Sequence, residues 1–114
     1  MPQTSEQAVT QAIGLCKRAG AVVCGTELIC TALHGGKPMT LVLTASDASA
    51  GTLKRITDKC TFYHVQTAAL PLSTEQLAQA LGSKGLVAAV GITQYQLARL
   101  VAGKLGLELQ AAQA

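Results

Sequence analysis

Two short runs constrain this chain more than any other feature: MTLVLTA at residues 39–45 and LVAAVGI at residues 86–92. Each is apolar almost throughout and is too short for a helix of ordinary length. A strand without polar alternation has to be covered on both faces. The segments around the two runs supply that cover, because their apolar residues recur at steps of three and four. Helices and strands therefore alternate, which predicts an α/β fold of three layers, an α/β/α sandwich.

Taken in order, the first helix is predicted to open near Thr4, where Thr4 and Gln7 have capping-box spacing, and to carry Val9, Ala12, Ile13 and Cys16 on one face. Gly20 stops it. Residues 21–24 read as a strand, Gly25 as the turn, and Thr26 as the cap of a second helix with Leu28, Ile29, Ala32 and Leu33 as its apolar positions. Ser46, Asp47 and Ser49 offer caps for a third helix whose inward face is Leu53, Ile56, Cys60 and Tyr63, with Lys54, Arg55 and Lys59 facing away. A strand at residues 65–70 follows. Ser73 and Gln76 cap a short fourth helix that closes at Gly82, and Thr93 with Gln96 caps a fifth, with Leu97, Leu100, Val101 and Leu105 inward. The tail from Gly106 is expected to fray. Five helices against four strands, joined by short connections, read as a mostly parallel sheet with the second and fourth strands in its middle.

The 114 residues are expected to form one domain over their whole length. Nine Lys and Arg against six Asp and Glu leave a net charge of +3, which permits a nucleic-acid partner but excludes a polycationic, tail-driven binder. The four cysteines are scattered inside apolar patterns with no C-x-x-C pair, which suits free thiols in a reducing cytoplasm. The opening residues lack the basic and apolar regions of a signal peptide. The longest apolar run is far shorter than the roughly 20 residues of a membrane span, so no membrane partner is expected. A monomer is expected on size.

An enzyme would need an acid, a base, a nucleophile or a metal set, and the polar inventory is thin. Asp47 lies just beyond a central strand, where open α/β sheets place ligands, but Asp in S-D-A-S before a helix serves as a cap more often than as a catalyst. His34 and His64 fall at predicted helix C-termini without a partner at ligand spacing. Cys24, Cys30 and His34 match no zinc-site spacing. No catalytic residue, metal or cofactor is assigned. The junction at Gly25 lacks both phosphate-binding glycine patterns, so a nucleotide cofactor is not expected. The first-turn N–H groups of the second helix nevertheless point outward with the positive end of the helix dipole, and favour an electron-rich partner there.

Five blocks carry a family resemblance: GLCKRAG at residues 14–20, VVCGTEL at 22–28, TLVLTASDAS at 40–49, KRITDKC at 54–60 and FYHV at 62–65. Together they resemble the bacterial YlxQ-like branch of the kink-turn RNA-binding ribosomal protein superfamily, which includes the archaeal large-subunit kink-turn protein, the box C/D core protein and the Gadd45 proteins. The resemblance implies a four-stranded mixed sheet between helices. It also implies a non-enzymatic, cytoplasmic protein that recognises structured RNA, ribosomal or other non-coding, through the start of the second helix and the loop after the fourth.

Family members that grip kink-turns carry G-x-N-E-x-x-K after the first strand. Gly25 matches the glycine; Glu27 stands at the Asn position, Leu28 at the Glu position and Thr31 at the Lys position. Each lost polar base contact costs about 1–3 kcal/mol of discrimination. With Thr26 beside the turn, Lys37 as a nearby cation, and Ser83, Lys84 and Leu86 in the second loop, these make up the RNA-binding set that the resemblance implies. Lys17 and Arg18 form a basic rim on the same reading, or compensate the dipole of the first helix. A protein-interaction adaptor on the same fold is the alternative, because an apolar Leu28 in an exposed first turn suits a protein partner.

Overall fold

A computed structural model describes residues 5–109. Its elements are α1 (Ser5–Arg18), β1 (Val22–Cys24), α2 (Thr26–His34), β2 (Leu41–Thr44), α3 (Ala50–Phe62), β3 (Gln66–Ala69), α4 (Thr74–Leu81), β4 (Ala89–Ile92) and α5 (Tyr95–Leu105). The Thr4 capping box falls outside the described residues. The helical periods produce the expected faces: Val9, Ala12, Ile13 and Cys16 of α1 are all buried. One inward position is corrected: Leu53 is 38% exposed, because α3 buries Ile56 and Cys60, whereas Leu28 is 60% exposed, as a first-turn position beside buried Ile29, Cys30 and Leu33.

The sheet order is β1-β4-β2-β3, so the cores of the two apolar runs, residues 41–44 and 89–92, form its centre, while Leu86 at the start of the second run lies outside β4 and is exposed. The sheet is mixed, as the family resemblance implies, and not mostly parallel as the alternation of elements suggests. β1, β2 and β3 share one direction, as successive strand–helix–strand crossovers require, and β2 pairs with β3 in parallel. β4 alone runs the other way and inserts between β1 and β2, so both of its pairings are antiparallel. Its register places Ile92 opposite both Val22 and Leu41, and Val90 opposite both Cys24 and Leu43.

Alternation along the central strands separates two cores. Leu41, Leu43, Val90 and Ile92 pack against α1, α4 and α5 on one face, whereas Val42 and Ala89 meet Ile29, Leu33, Ile56 and Cys60 of α2 and α3 on the other. A Cβ at Gly91, in the middle of β4, would fall on the end of the Met39 side chain, which would have to move aside.

The caps differ in part from the expected ones. Ser49 caps α3 by accepting from Thr52 N at 3.1 Å, and Ser73 with Gln76 forms a complete capping box on α4. Asp47 does not cap α3; its Oδ1 accepts from Thr74 N at 2.7 Å and so secures the start of α4. The N-cap of α5 is Gln94 without a side-chain bond, in place of the expected Thr93 and Gln96 box. The tail expected to fray is held as far as Leu109: Leu107 N donates to Ala102 O, Gln66 Nε2 donates to Glu108 O, and Leu109 packs on the core.

Candidate nucleic-acid interface

β1 delivers the chain to the head of α2 through one glycine. Gly25 is the N-cap, at φ 95° and ψ 147°, a conformation that a side chain strains and glycine takes freely. The expected cap, Thr26, is instead the first helical residue, and no side chain caps this end. The first intrahelical bond runs from Ile29 N to Gly25 O at 3.0 Å. The N–H groups of Thr26, Glu27 and Leu28 thus stand at the positive end of the dipole with no capping acceptor, and a Cβ at Gly25 would meet nothing within 4 Å.

Glu27, Leu28 and Thr31 are all exposed, and their spacing puts Thr31 one turn beyond the other two on the outer face. Glu27 is held: both of its oxygens accept from Arg55 of α3, at 2.5 Å and 3.0 Å. The guanidinium's hydrogen bonds and charge lower the Glu27 pKa. The negative charge that Glu27 brings to the α2 head is therefore matched by a cation that sequence reading had only placed outward. Arg55 is the neighbour of the candidate site that the sequence did not reveal. An acid in the first turn of α2 and a basic stripe on the neighbouring crossover helix were the available signals.

The second loop reaches the same place through the sheet. Gly25 N donates to Ala89 O at 2.9 Å, so the segment leading into β4 runs directly beside the α2 head. Gly82 ends α4 in the left-handed conformation, Ser83 Oγ bonds both Gly85 O and Gly85 N, and buried Val87 anchors the far side. Between these anchors Lys84 is exposed, and Leu86 is 73% exposed three residues before Ala89. The charge of Lys17 on the α1 rim bears on the Cys24 thiol, one residue before Gly25. Lys37 is not part of the group. Its N–H donates to Ala32 O at the C-terminus of α2, about 13 Å along the axis from the head.

The polar residues considered for chemistry are otherwise occupied or separate. Asp47 is the α4 cap, His34 ends α2 and His64 follows α3 at φ 60°. No group of three or more His, Cys, Asp or Glu among the described residues could hold a metal ion. No helix among them is long and apolar enough to cross a membrane.

A model of the family described as ribosomal protein L7Ae/L30e/S12e/Gadd45 matches residues 7–102. The RNA-binding protein YlxQ of Bacillus subtilis (strain 168) is 42% identical over 53 residues, which cover 46% of this chain and 52% of that protein, about half its length. The RNA-binding protein YlxQ of Enterococcus faecium is 33% identical over 82 residues, 72% of this chain and 78% of the relative. Among solved structures, a protein with unknown function from Bacillus halodurans C superposes with a TM-score of 0.76 at 26% identity, over 86% of this chain and 96% of that one. The Giardia lamblia 15.5kD RNA binding protein does so with a TM-score of 0.72, over 93% and 88% of the two chains; at 18% identity the likeness is one of fold.

Proposed function

The chain belongs to the ribosomal protein L7Ae/L30e/S12e/Gadd45 family, in its YlxQ-like branch, and from that membership we propose that it is a non-enzymatic, cytoplasmic RNA-binding protein that recognises a structured, kink-turn-like RNA. The observation that carries the reading is the uncapped head of α2 behind Gly25, beside the loop that ends in Leu86. Backbone N–H groups at a helix start receive phosphate or base acceptors without a particular side chain, and a glycine without Cβ lets the RNA approach them. Thr26 and Ser83 offer hydroxyls, Lys84 and Lys17 neutralise phosphate, and Leu86 packs under an unstacked base. Leu28 and Thr31 border the contact without supplying the family's carboxylate and ammonium, so shape and backbone contacts carry more of the affinity than base readout.

Titration of the protein with a kink-turn RNA and with a non-kinked duplex of equal length at moderate salt tests this. Tighter binding to the kinked RNA is expected; equal and weak binding to both would sink it. The 60% exposure of Leu28 favours a second reading, an adaptor that binds a protein through the same edge. Partners that stay bound after nuclease treatment, and are lost with Leu28→Asp, would favour it.

A further inference from the structure

We propose that the RNA face continues from the α2 head along α3, where Arg55, Lys59 and Phe62 form an exposed stripe that takes an unpaired stretch of the bound RNA, with phosphates on the two cations and a base on the Phe62 ring. This rests on the RNA-binding reading above and adds to it a contact surface and a substrate class.

The three residues are four and then three apart on one helix, so they are neighbours on a single face. Arg55 and Phe62 are about 10 Å apart along the axis, close to the rise of about three stacked nucleotides. Arg55 is bonded to Glu27, so the stripe is continuous with the α2 head. The other acid on this face, Asp58, is paired with Lys54 at 2.9 Å, and among the described residues Lys59 has no carboxylate partner. Lys59 is therefore the uncompensated charge of the stripe, while Arg55 shares its charge with Glu27.

Phe62 is the chain's one phenylalanine and is 73% exposed, although burying such a ring would stabilise the fold. The ring is braced. Tyr63 meets it edge-on with centroids 4.9 Å apart at 82°, and Tyr63 packs against the α2–α3 core with its hydroxyl 3.4 Å from His34 Nδ1 at the end of α2. An exposed, braced aromatic ring beside a cation without a carboxylate partner, Lys59, is the arrangement that binds unpaired nucleotides, whose bases have a free face to stack. It also gives Lys37 a place: tied to the C-terminus of α2, it stands at the Phe62 end of this layer rather than at the head.

The test is anisotropy titration of the full chain at fixed salt with a blunt kink-turn RNA and with the same RNA carrying tails of about eight uridines at both ends. The tails should tighten binding of the native protein about fivefold or more. Phe62→Ala should abolish that gain while leaving blunt-RNA affinity unchanged, Phe62→Tyr should keep it, and Lys59→Ala should reduce it and lower the salt slope on tailed RNA by about one. Equal affinity for tailed and blunt RNA, or a gain that survives Phe62→Ala, would overturn the extension alone, leaving the Phe62 patch to a protein partner. Failure to bind either RNA would overturn the RNA reading and the extension together.

Discussion

At Gly25 a single missing Cβ serves both the fold and the proposed contact. Its φ of 95° strains any other residue, and the space where a Cβ would point is open. Gly25→Ala is expected to cost about 1–3 kcal/mol of stability, read by urea unfolding, and to weaken RNA binding further by placing a methyl group over the α2 head. On the proposed RNA reading, three neighbouring side chains set specificity. Restoring the family's residues in a Glu27→Asn, Leu28→Glu, Thr31→Lys variant is expected to tighten kink-turn binding at least about tenfold with little effect on a plain duplex, measured in the same titration. Gly25 was legible in the sequence because a glycine between a β-branched run and a helical period has one structural use. Arg55 was not, since its pairing with Glu27 spans 28 residues and depends on two helices lying side by side. The inward face of α2 was less legible for a related reason: apolar residues at 28, 29, 32 and 33 allow more than one, and packing on Val42 and Ala89 selects the one containing Ile29 and Leu33.

Among the elements, α4 shows how short helices are held when propensity alone cannot hold them. It has eight residues, below the length at which an isolated helix persists, and its first turn receives two caps. One is local, Ser73 with Gln76; the other is Asp47, from the loop between β2 and α3. Asp47→Ala is expected to destabilise the protein by about 0.5–2 kcal/mol in thermal or urea unfolding, because the lost contact is a helix cap. The local box could be read from spacing; the second cap could not, since S-D-A-S precedes α3 and serves α4. The same limit applies to β4. Its apolar run marks it as central, but its direction depends on the turn at residues 82–88, where the chain reverses after α4 has crossed the opposite face. Local patterns specify burial and period, and they leave strand direction to the connection.

Across the whole molecule the sheet divides two cores, and the four free cysteines sample both. Cys16 lies in the α1–α4–α5 core, Cys60 in the α2–α3 core, and Cys24 is half-buried at the sheet edge. Burial raises all three thiol pKa values, for Cys60 to about 11, while for Cys24 the charge of Lys17 opposes the effect. Only a thiolate is alkylated, so at pH 8 about one in a thousand Cys60 side chains is reactive even when reached. Labelling of the native protein with iodoacetamide, followed by mass spectrometry, should therefore modify Cys24 first and Cys60 last, with the order erased in urea. The same shift makes stability depend on pH. A thiol whose pKa is higher folded than unfolded contributes stability that is complete below the unfolded value, near 8.5, and declines as pH rises through about 11. Melting temperature should fall across that window in the native protein and fall less steeply in Cys60→Ala, which starts lower because a buried sulfur has been removed. Parallel curves for the two proteins would show that Cys60 does not titrate between the folded and unfolded states as its burial requires.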